Sequence, residues 1–225
     1  MTPVRINFLV EGQTEETFVR EILAEHFAYH GTVVSVRRIE TGRRHSVVHR
    51  GGTTTFPKAH RDIQRWLAED RSAFLTTMFD LYRLPNDVPG VDQLRRLRNP
   101  YRKVQVVEDA LAGAIGDRRF IPYIQLHEFE GLLFSGVAII DQTMLIVSTD
   151  SRLRELQAIR ANFNSPEEID DGDTTAPSKR LIAIYPAYDK AAFGFLIAKR
   201  IGLTIIRNQC HHFGDWLSRL EALRD

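Results

Sequence analysis

The composition is that of a globular chain and excludes a polycation that would coat nucleic acid. The 225 residues are 43% hydrophobic, which is enough for a substantial core. Lys and Arg number 30 and Asp and Glu number 29, so bulk attraction does not draw the protein to nucleic acid. Any binding to nucleic acid must therefore come from local basic patches.

The cysteine content and the lengths of the apolar runs indicate in which cellular compartment the protein is expected. Cys210 is the only cysteine, so no intramolecular disulfide can form, and the first residues lack the pattern of a secretion signal. No apolar run approaches the roughly 20 residues that are needed to cross a bilayer. We therefore expect a soluble, cytoplasmic protein that does not bind membranes.

Apolar runs alternate with helical patterns along the chain, and this order predicts an α/β fold with a mostly parallel sheet flanked by helices. Pro122 lies inside the fourth run, where it removes a ladder donor and favours an edge position. Around residues 40–52 we expect a polar loop. The predicted strands are residues 4–10, 33–39, 73–79 and 120–126.

Helical periodicity begins directly after Gly12, with Thr14 as the predicted N-cap and acids at Glu15 and Glu16, where the helix dipole favours them. A second helix is predicted to start near Pro57. Additional apolar helices are expected towards the C terminus, over residues 191–201 and 216–223. We expect a single domain over residues 1–225, with its core in about the first 140 residues.

An acid stands at the end of each of three predicted strands: Glu11, Asp80 and Glu128. The carboxyl ends of parallel strands meet at one edge of a sheet, so these acids are predicted to converge. Carboxylates brought together repel one another unless a cation neutralises them, and magnesium or manganese suits such oxygen ligands. The pattern predicts metal-assisted chemistry on a phosphodiester. The open alternative is that these acids are solvated loop starts or helix caps.

Basic residues that suit a nucleic-acid backbone cluster in two segments. "TGRRHSVVHRGG" contains Arg43, Arg44 and Arg50, together with glycines that allow close approach of a phosphate. "PSKRL" places Lys179 and Arg180 at the start of a predicted helix, which Ser178 would cap and where exposed amides favour anions. Lys179 would stabilise negative charge that develops on a phosphodiester. The alternative is that both segments are simply solvated surface.

The segment "SPEEIDDGD", residues 165–173, is strongly acidic. It is predicted to be a polar loop, and the alternative is that its acids add to the metal site. The chain has no zinc-type array of cysteine and histidine, no Walker phosphate loop and no dinucleotide fingerprint, so we do not expect it to bind ATP by itself.

The opening "FLVEGQTEE" resembles the first motif of the Toprim domain, the metal-binding module of topoisomerases, primases and overcoming-lysogenization-defect (OLD) nucleases. The four motifs "VEGQTEE", "MFDLYRLP", "LHEFEGLLFS" and "APSKRL", in this order, resemble the bacterial Toprim-like group called domain of unknown function family 4276. The resemblance covers nearly the whole chain. It implies a Toprim-like fold in which Glu11 is the first acid and Asp80 is the first aspartate of the second motif.

The chain departs from the Toprim pattern at this second motif. Toprim enzymes usually carry Asp-x-Asp there, whereas this chain has a tyrosine, Tyr82, two residues after Asp80. Glu128 or Glu130 would then supply the missing metal ligand. His127 would act as a proton carrier or contact nucleic acid.

Three functions remain open from the sequence. The leading hypothesis is a magnesium- or manganese-dependent nuclease, and the resemblance implies an ABC- or OLD-type ATPase partner, encoded in trans, in defence against phage. A competing hypothesis is a non-catalytic Toprim-like module that binds nucleic acid or a partner. A third is a phosphohydrolase or nucleotidyl transferase that acts on small molecules.

Overall fold

The computed structural model describes residues 3–44, 47–50, 55–169, 172 and 174–224, with the backbone alone described at 40–44, 47–50 and 83. The chain divides into two compact units. The first unit is Met1–Gln125 with Glu221–Asp225, and the second is Leu126–Leu220. The sequence predicts a single domain over residues 1–225, and this stays a prediction.

A parallel sheet forms the centre of the first unit, and its strand order is β2-β1-β5, followed by β6 and β7 beside β5. Helices flank this sheet, so the predicted α/β class with a mostly parallel sheet is confirmed. The strands are β1 (Val4–Val10), β2 (Thr32–Arg38), β3 (Glu40–Arg44), β4 (Val47–Arg50), β5 (Phe74–Asp80), β6 (Phe120–Ile121) and β7 (Ile124–Gln125).

The fourth predicted strand is interrupted, so the prediction of one strand over residues 120–126 was wrong in its extent. Pro122 and Tyr123 separate β6 from β7, because proline has no amide donor for the ladder. The side chain of Thr77 fills the gap: its hydroxyl donates to the carbonyl of Tyr123 and accepts from the Tyr123 amide, both at 3.0 Å. The interruption therefore leaves this buried backbone satisfied.

The segment expected to be a polar loop contains an antiparallel pair instead. β3 pairs with β4, with Arg43 opposite Val48 and Arg44 opposite Val47. The sequence prediction missed these strands because their polar composition lacks the apolar alternation of a strand with one buried face.

The helices of the first unit carry the predicted apolar faces against the sheet. Phe18, Val19, Leu23 and Phe27 are buried in the first helical segment, and Ile63, Trp66 and Leu67 in the segment that has Pro57 in its first turn. These helices are α1 (Gln13–Phe18), a π-helical stretch (Val19–Leu23), α2 (Ala24–Tyr29), α3 (Phe56–Glu69) and α4 (Pro100–Ile115).

The predicted N-cap of α1 was wrong by two residues. Gly12 is the N-cap, with extended backbone, and Thr14 lies buried inside the helix. The helix thus begins immediately after the turn that contains Glu11. This early start brings the acids of the first helical turn close to the end of β1.

The second unit is built from helices, and the predicted apolar helices near the C terminus are confirmed. Buried side chains of this unit include Phe129, Leu133, Leu181, Ile197, Phe213 and Leu217. Its helices are α5 (Glu130–Leu133), α6 (Val137–Met144), α7 (Leu153–Arg160), α8 (Pro177–Ile184), α9 (Phe195–Ile201), α10 (Leu203–Gln209) and α11 (His211–Glu221).

Glu167, from the acidic segment, is buried in this unit instead of lying in a solvated loop. Its carboxylate accepts hydrogen bonds from the amides of His212 at 3.0 Å and Phe213 at 2.9 Å, which are unsatisfied donors in the first turn of α11. Burial raises the pKa of Glu167, and these amide donors oppose the increase. The polar-loop prediction was therefore wrong for Glu167, whereas residues 170, 171 and 173 lie outside the described residues.

Asp141 is a second buried acid of this unit. It accepts from Tyr185 Oη at 2.5 Å, from Ser151 Oγ at 2.9 Å and from the Arg152 amide at 2.7 Å. Burial disfavours the charged form of Asp141, but these donors outweigh it and the pKa of the carboxyl is lowered. Asp141 therefore ties the segment before α7 to α6 and α8.

Along the described residues, no helix combines the length and the apolar character that a membrane crossing requires.

Candidate functional site

Glu11 lies in the turn between β1 and α1 and is half-buried. The next residue, Gly12, has no side chain, and the carboxylate of Glu15 occupies the adjacent space. A Cβ atom at Gly12 would lie only 2.6 Å from Oε2 of Glu15. The carboxylate of Glu15 therefore lies next to Gly12, which is the residue that follows Glu11. Sequence reasoning had interpreted Glu15 only as a favourable charge in the first helical turn.

Asp80 ends β5, the strand that pairs in parallel with β1. The register places Val10 opposite Met78, so the residues that follow these two emerge at the same edge of the sheet. Glu11 and Asp80 therefore stand at the carboxyl ends of adjacent parallel strands, which is where α/β sheets usually bind ligands. Their role as metal ligands stays a prediction.

Beyond Asp80 the chain enters a 3-10 turn, Leu81–Arg83, with Leu81 buried. No acid lies in this turn, so the second aspartate of the Toprim pattern has no substitute there. Arg38, in register with Val10 on the other side of β1, pairs with Glu16 at 2.9 Å. This edge of the first unit thus presents acids in the turn after β1, on α1 and on β5, and a basic residue on β2.

Two predicted metal ligands of the second unit, Glu128 and Glu130, contact the same lysine. The ammonium of Lys190 lies 3.0 Å from Oε2 of Glu130 and 3.6 Å from Oε1 of Glu128. The amide of Ser178 donates to Oε2 of Glu128 at 3.0 Å. Both carboxylates are buried, so this charge pairing offsets a desolvation penalty that would otherwise be large.

The phenol of Tyr188 also belongs to this acidic cluster, with its hydroxyl 3.5 Å from Oε1 of Glu130. Burial raises the pKa of Tyr188 well above its ordinary value, and the negative charge of Glu130 raises it further. Tyr188 is therefore protonated at neutral pH and acts towards Glu130 as a donor.

Ser178 does not cap α8, as the sequence had suggested. The N-cap is Ala176, and Ser178 is buried inside the first turn. Its amide is one of the four at a helix start that lack an intrahelical partner, and Glu128 accepts from it. The charge of Glu128 thus also meets the favourable end of the helix dipole.

His127 adopts a left-handed backbone conformation with φ of 62°, and its side chain is buried. Among residues other than glycine this conformation is uncommon, and it costs of order 1–3 kcal/mol. The chain changes direction there, immediately before Glu128. Its predicted role in proton transfer or nucleic-acid contact stays a prediction.

The described residues suit a metal ion that is bound by one or two protein carboxylates, and they do not form a site in which the protein supplies every ligand. They contain no group of three or more His, Cys, Asp or Glu side chains close enough to hold an ion. Magnesium is usually bound by one or two carboxylates together with waters and substrate phosphates. Glu11 and Asp80, at one sheet edge with Glu15 beside them, are suited to that mode.

The predicted nucleic-acid-binding residues fall into two groups. Arg43, Arg44 and Arg50 lie in β3 and β4, and their side chains are outside the described residues. Lys179 is exposed on α8. The next residue, Arg180, donates from Nε to the carbonyl of Thr175 at 2.6 Å.

The lysine that contacts the acids of the second unit is Lys190, which sequence reasoning had missed. Its segment, "AYDKAAFG", carries no recognisable motif, so no local signal could have selected it. The assistance of Lys179 at a phosphate stays a prediction.

The fold and these acids define an α/β protein with a parallel sheet and carboxylates at its carboxyl edge. The chain belongs to the family described as Domain of unknown function (DUF4276), whose model matches residues 10–221. No curated protein matched the sequence.

Among solved structures, the C-terminal region of the Xanthomonas campestris pv. campestris OLD protein is similar at 16% identity, with a TM-score of 0.43 over 98% of this chain and 97% of that chain. The C-terminal region of the Burkholderia pseudomallei OLD protein is similar at 13% identity, with a TM-score of 0.44 over 93% of this chain and 97% of that chain.

Proposed function

We propose that this chain is a divalent-metal-dependent nuclease that uses magnesium or manganese. The observation that carries the proposal is the placement of Glu11 and Asp80 at the carboxyl ends of adjacent parallel strands, in register through Val10 and Met78. The resemblance of "FLVEGQTEE" to the first Toprim motif supports the same function. Glu11 and Asp80 would hold the ion, with Glu15 available from the first turn of α1.

A bound divalent ion would supply charge neutralisation at a phosphodiester and an activated water. The chain's own residues have separate tasks. Glu11 and Asp80 would orient the ion at the sheet edge, and Lys179 is proposed to contribute positive charge at a phosphate. Lys190 contacts the carboxylates of Glu128 and Glu130, and the Ser178 amide donates to Glu128. Glu128 and Glu130 stay proposed metal ligands.

Cleavage and metal binding test the proposal together. Fluorescent single- and double-stranded oligonucleotides would be incubated with the wild type in magnesium, manganese or EDTA, and manganese affinity would be measured by electron paramagnetic resonance. We expect metal-dependent cleavage that Glu11→Gln and Asp80→Asn abolish, with weaker manganese binding in both variants. Cleavage that is unchanged in these variants, or that persists in EDTA, would contradict the proposal.

A non-catalytic binding module is the second candidate, and the turn after Asp80 favours it, because Leu81 and Tyr82 provide no second acid there. Oligonucleotide binding without any cleavage in either metal would support this candidate.

The Glu128→Gln variant is assayed separately for the nuclease proposal, because a loss of cleavage in this variant would support the proposed part of Glu128 in the reaction.

We also propose a cytoplasmic setting, with nucleic acid as substrate and an ABC- or OLD-type ATPase, encoded in trans, as partner in defence against phage. The support is the resemblance of the four motifs to Toprim-like proteins. Affinity purification of the tagged chain from its native host, with and without ATP, tests the partner. Failure to recover such an ATPase under either condition would contradict it.

A further inference from the structure

A pocket of about 280 Å³ lies in the first unit between the edge strand β2, the adjoining β1 and helix α3. Its volume is just below the range of about 300–1,000 Å³ that is typical of small-molecule sites, so it suits one nucleotide better than a large cofactor. The lining residues are Leu9, Arg37, Arg38, Asp62, Arg65, Trp66 and Glu69.

The guanidinium of Arg37 lies over the Trp66 ring in this pocket. Its Cζ lies 4.3 Å from the centroid of the Trp66 ring, and its Nη1 pairs with Oε2 of Glu69 at 2.7 Å. Trp66 is only 4% exposed, whereas the Arg37 side chain is 49% exposed. The guanidinium therefore covers the indole, and about half of the Arg37 side chain stays open to a ligand.

The charges of the lining select the class of ligand. Three arginines and two acids leave a formal charge of +1, which is less than expected of a site for several phosphates. An arginine guanidinium is a planar surface on which an unstacked nucleobase stacks, and an exposed arginine beside it, Arg65, matches one backbone phosphate. The acids supply acceptors for the N–H groups of a base.

The position of the pocket connects it to the proposed metal site. Leu9, on β1, lies two residues before Glu11 in the sequence, and Arg38 is in register with Val10. At about 3.3 Å per residue, roughly 7 Å of strand separates Leu9 from Glu11. This distance is comparable to one nucleotide of an extended single strand.

We propose that this pocket binds a nucleobase of a single-stranded segment of nucleic acid, stacked on Arg37, while Arg65 contacts an adjacent phosphate. The inference rests on the proposed nuclease function and adds the class of substrate. A base inside a duplex cannot enter the pocket without being unstacked, so the chain binds single strands more tightly than duplexes.

Binding is measured by fluorescence anisotropy in EDTA, so that no metal-dependent cleavage occurs. The probes are a labelled DNA single strand of about 12 nucleotides, within the site sizes of single-strand binders, the matched duplex, and an abasic strand with the same phosphates. The variants are Arg37→Ala, Arg37→Lys and Arg65→Ala, with Arg118→Ala as the matched control. Arg118 is exposed in the turn before β6, at the opposite end of the strands, and does not line the pocket.

Each variant has a different expected result. Arg37→Lys keeps the charge but loses the planar group, so affinity for the single strand falls about 5- to 150-fold, as for loss of one stacked base. On the abasic strand, Arg37→Lys and the wild type bind equally. Arg65→Ala lowers the slope of log affinity against log salt by about 0.7, the value for one phosphate contact on a single strand. Arg118→Ala binds like the wild type.

The inference is overturned if Arg37→Lys binds the single strand like the wild type, if duplex and single strand bind equally, or if the wild type binds no probe. Arg37→Ala serves as a second variant, and thermal unfolding of each protein shows that it is folded. Cleavage in magnesium is assayed separately. Binding as expected without cleavage contradicts the nuclease proposal and leaves this inference standing, whereas cleavage with unaltered binding in the pocket variants overturns this inference alone.

Discussion

The ammonium of Lys190 lies 3.0 Å from Oε2 of Glu130, a carboxylate whose side chain is only 1% exposed. Lys190 itself is 44% exposed, so it brings positive charge from the surface to an acid that water scarcely reaches. This pair makes the acidic cluster of the second unit compatible with folding, and it gives the first of four predictions.

Replacing Lys190 with methionine should destabilise the protein. Breaking a buried ion pair costs about 3–5 kcal/mol, and because Lys190 is partly exposed we expect about 1–3 kcal/mol from urea unfolding. The double variant Lys190→Met with Glu130→Gln should recover part of this loss, since the uncompensated charge is removed. The control is Lys199→Met, at an exposed lysine that contacts only the face of Phe195 at 5.6 Å among its described interactions. Equal losses for Lys190 and Lys199 would contradict the prediction.

Because His127 has a left-handed backbone conformation, a glycine variant at this position should be more stable than an alanine variant, which is the reverse of the usual order. At most positions alanine is more stable than glycine, because glycine loses more chain entropy on folding. At φ of 62° a Cβ atom carries a penalty of roughly 1–2 kcal/mol, so His127→Gly should be more stable than His127→Ala by about 1 kcal/mol. Thermal unfolding of both variants checks this, and a more stable alanine variant would contradict the prediction.

The contribution of Asp141 to stability should depend on pH. Its folded pKa is below the ordinary 3.8, so the unfolded chain binds the proton more tightly than the folded one. The stabilisation is fully present above 3.8 and is lost as the pH falls through the folded pKa. We expect Asp141→Asn to be about 1–3 kcal/mol less stable at neutral pH, with the difference shrinking in acid.

Urea unfolding of the wild type and Asp141→Asn at about pH 7 and about pH 3 measures this difference, since about pH 3 lies below the ordinary carboxyl pKa of 3.8 and part of the stabilisation is lost there. Tyr185→Phe removes the hydroxyl that donates to Asp141 and accepts from the Arg152 amide at 3.1 Å, and it should show a smaller loss at neutral pH. The pKa of Tyr185 is raised to about 12 by burial and by its hydrogen bond to Asp141, so the hydroxyl does not itself titrate in this range. A difference that is constant with pH would argue against the prediction.

Gly12→Ala should weaken metal binding while leaving the fold intact. The backbone at Gly12 has φ of −123°, which alanine adopts readily, but the added Cβ would lie 2.6 Å from Oε2 of Glu15. The flexible side chain of Glu15 must move, so a site that uses this carboxylate should lose manganese affinity by about tenfold, or roughly 1.4 kcal/mol. Titration with manganese measures the effect, and Gly113→Ala is the control, because a Cβ there meets nothing within 4 Å. Unchanged affinity would exclude Glu15 as a ligand.

Much of the sheet could be predicted because its strands are short and nearly continuous apolar runs. The predicted 4–10 run matches β1 in full, and the 33–39 and 73–79 runs differ from β2 and β5 by a single residue at each end. The polar strands β3 and β4 escaped prediction because they lack such a run, and the fourth run was divided by Pro122. Capping was predicted less well: Thr14 and Ser178 carry the right side-chain chemistry, but both lie inside the helices that they were expected to cap.

By itself, the sequence determined the α/β class, the positions of β1 and β5, and the presence of an acid at the carboxyl end of each. These properties depend on local apolar patterning, which acts between near neighbours in the chain. Only the tertiary structure decided that Lys190 pairs with Glu130, that Glu167 caps α11 and that Arg37 lies over Trp66. Each of these contacts joins residues at least 29 positions apart, and which buried charge meets which partner depends on packing that no local pattern specifies.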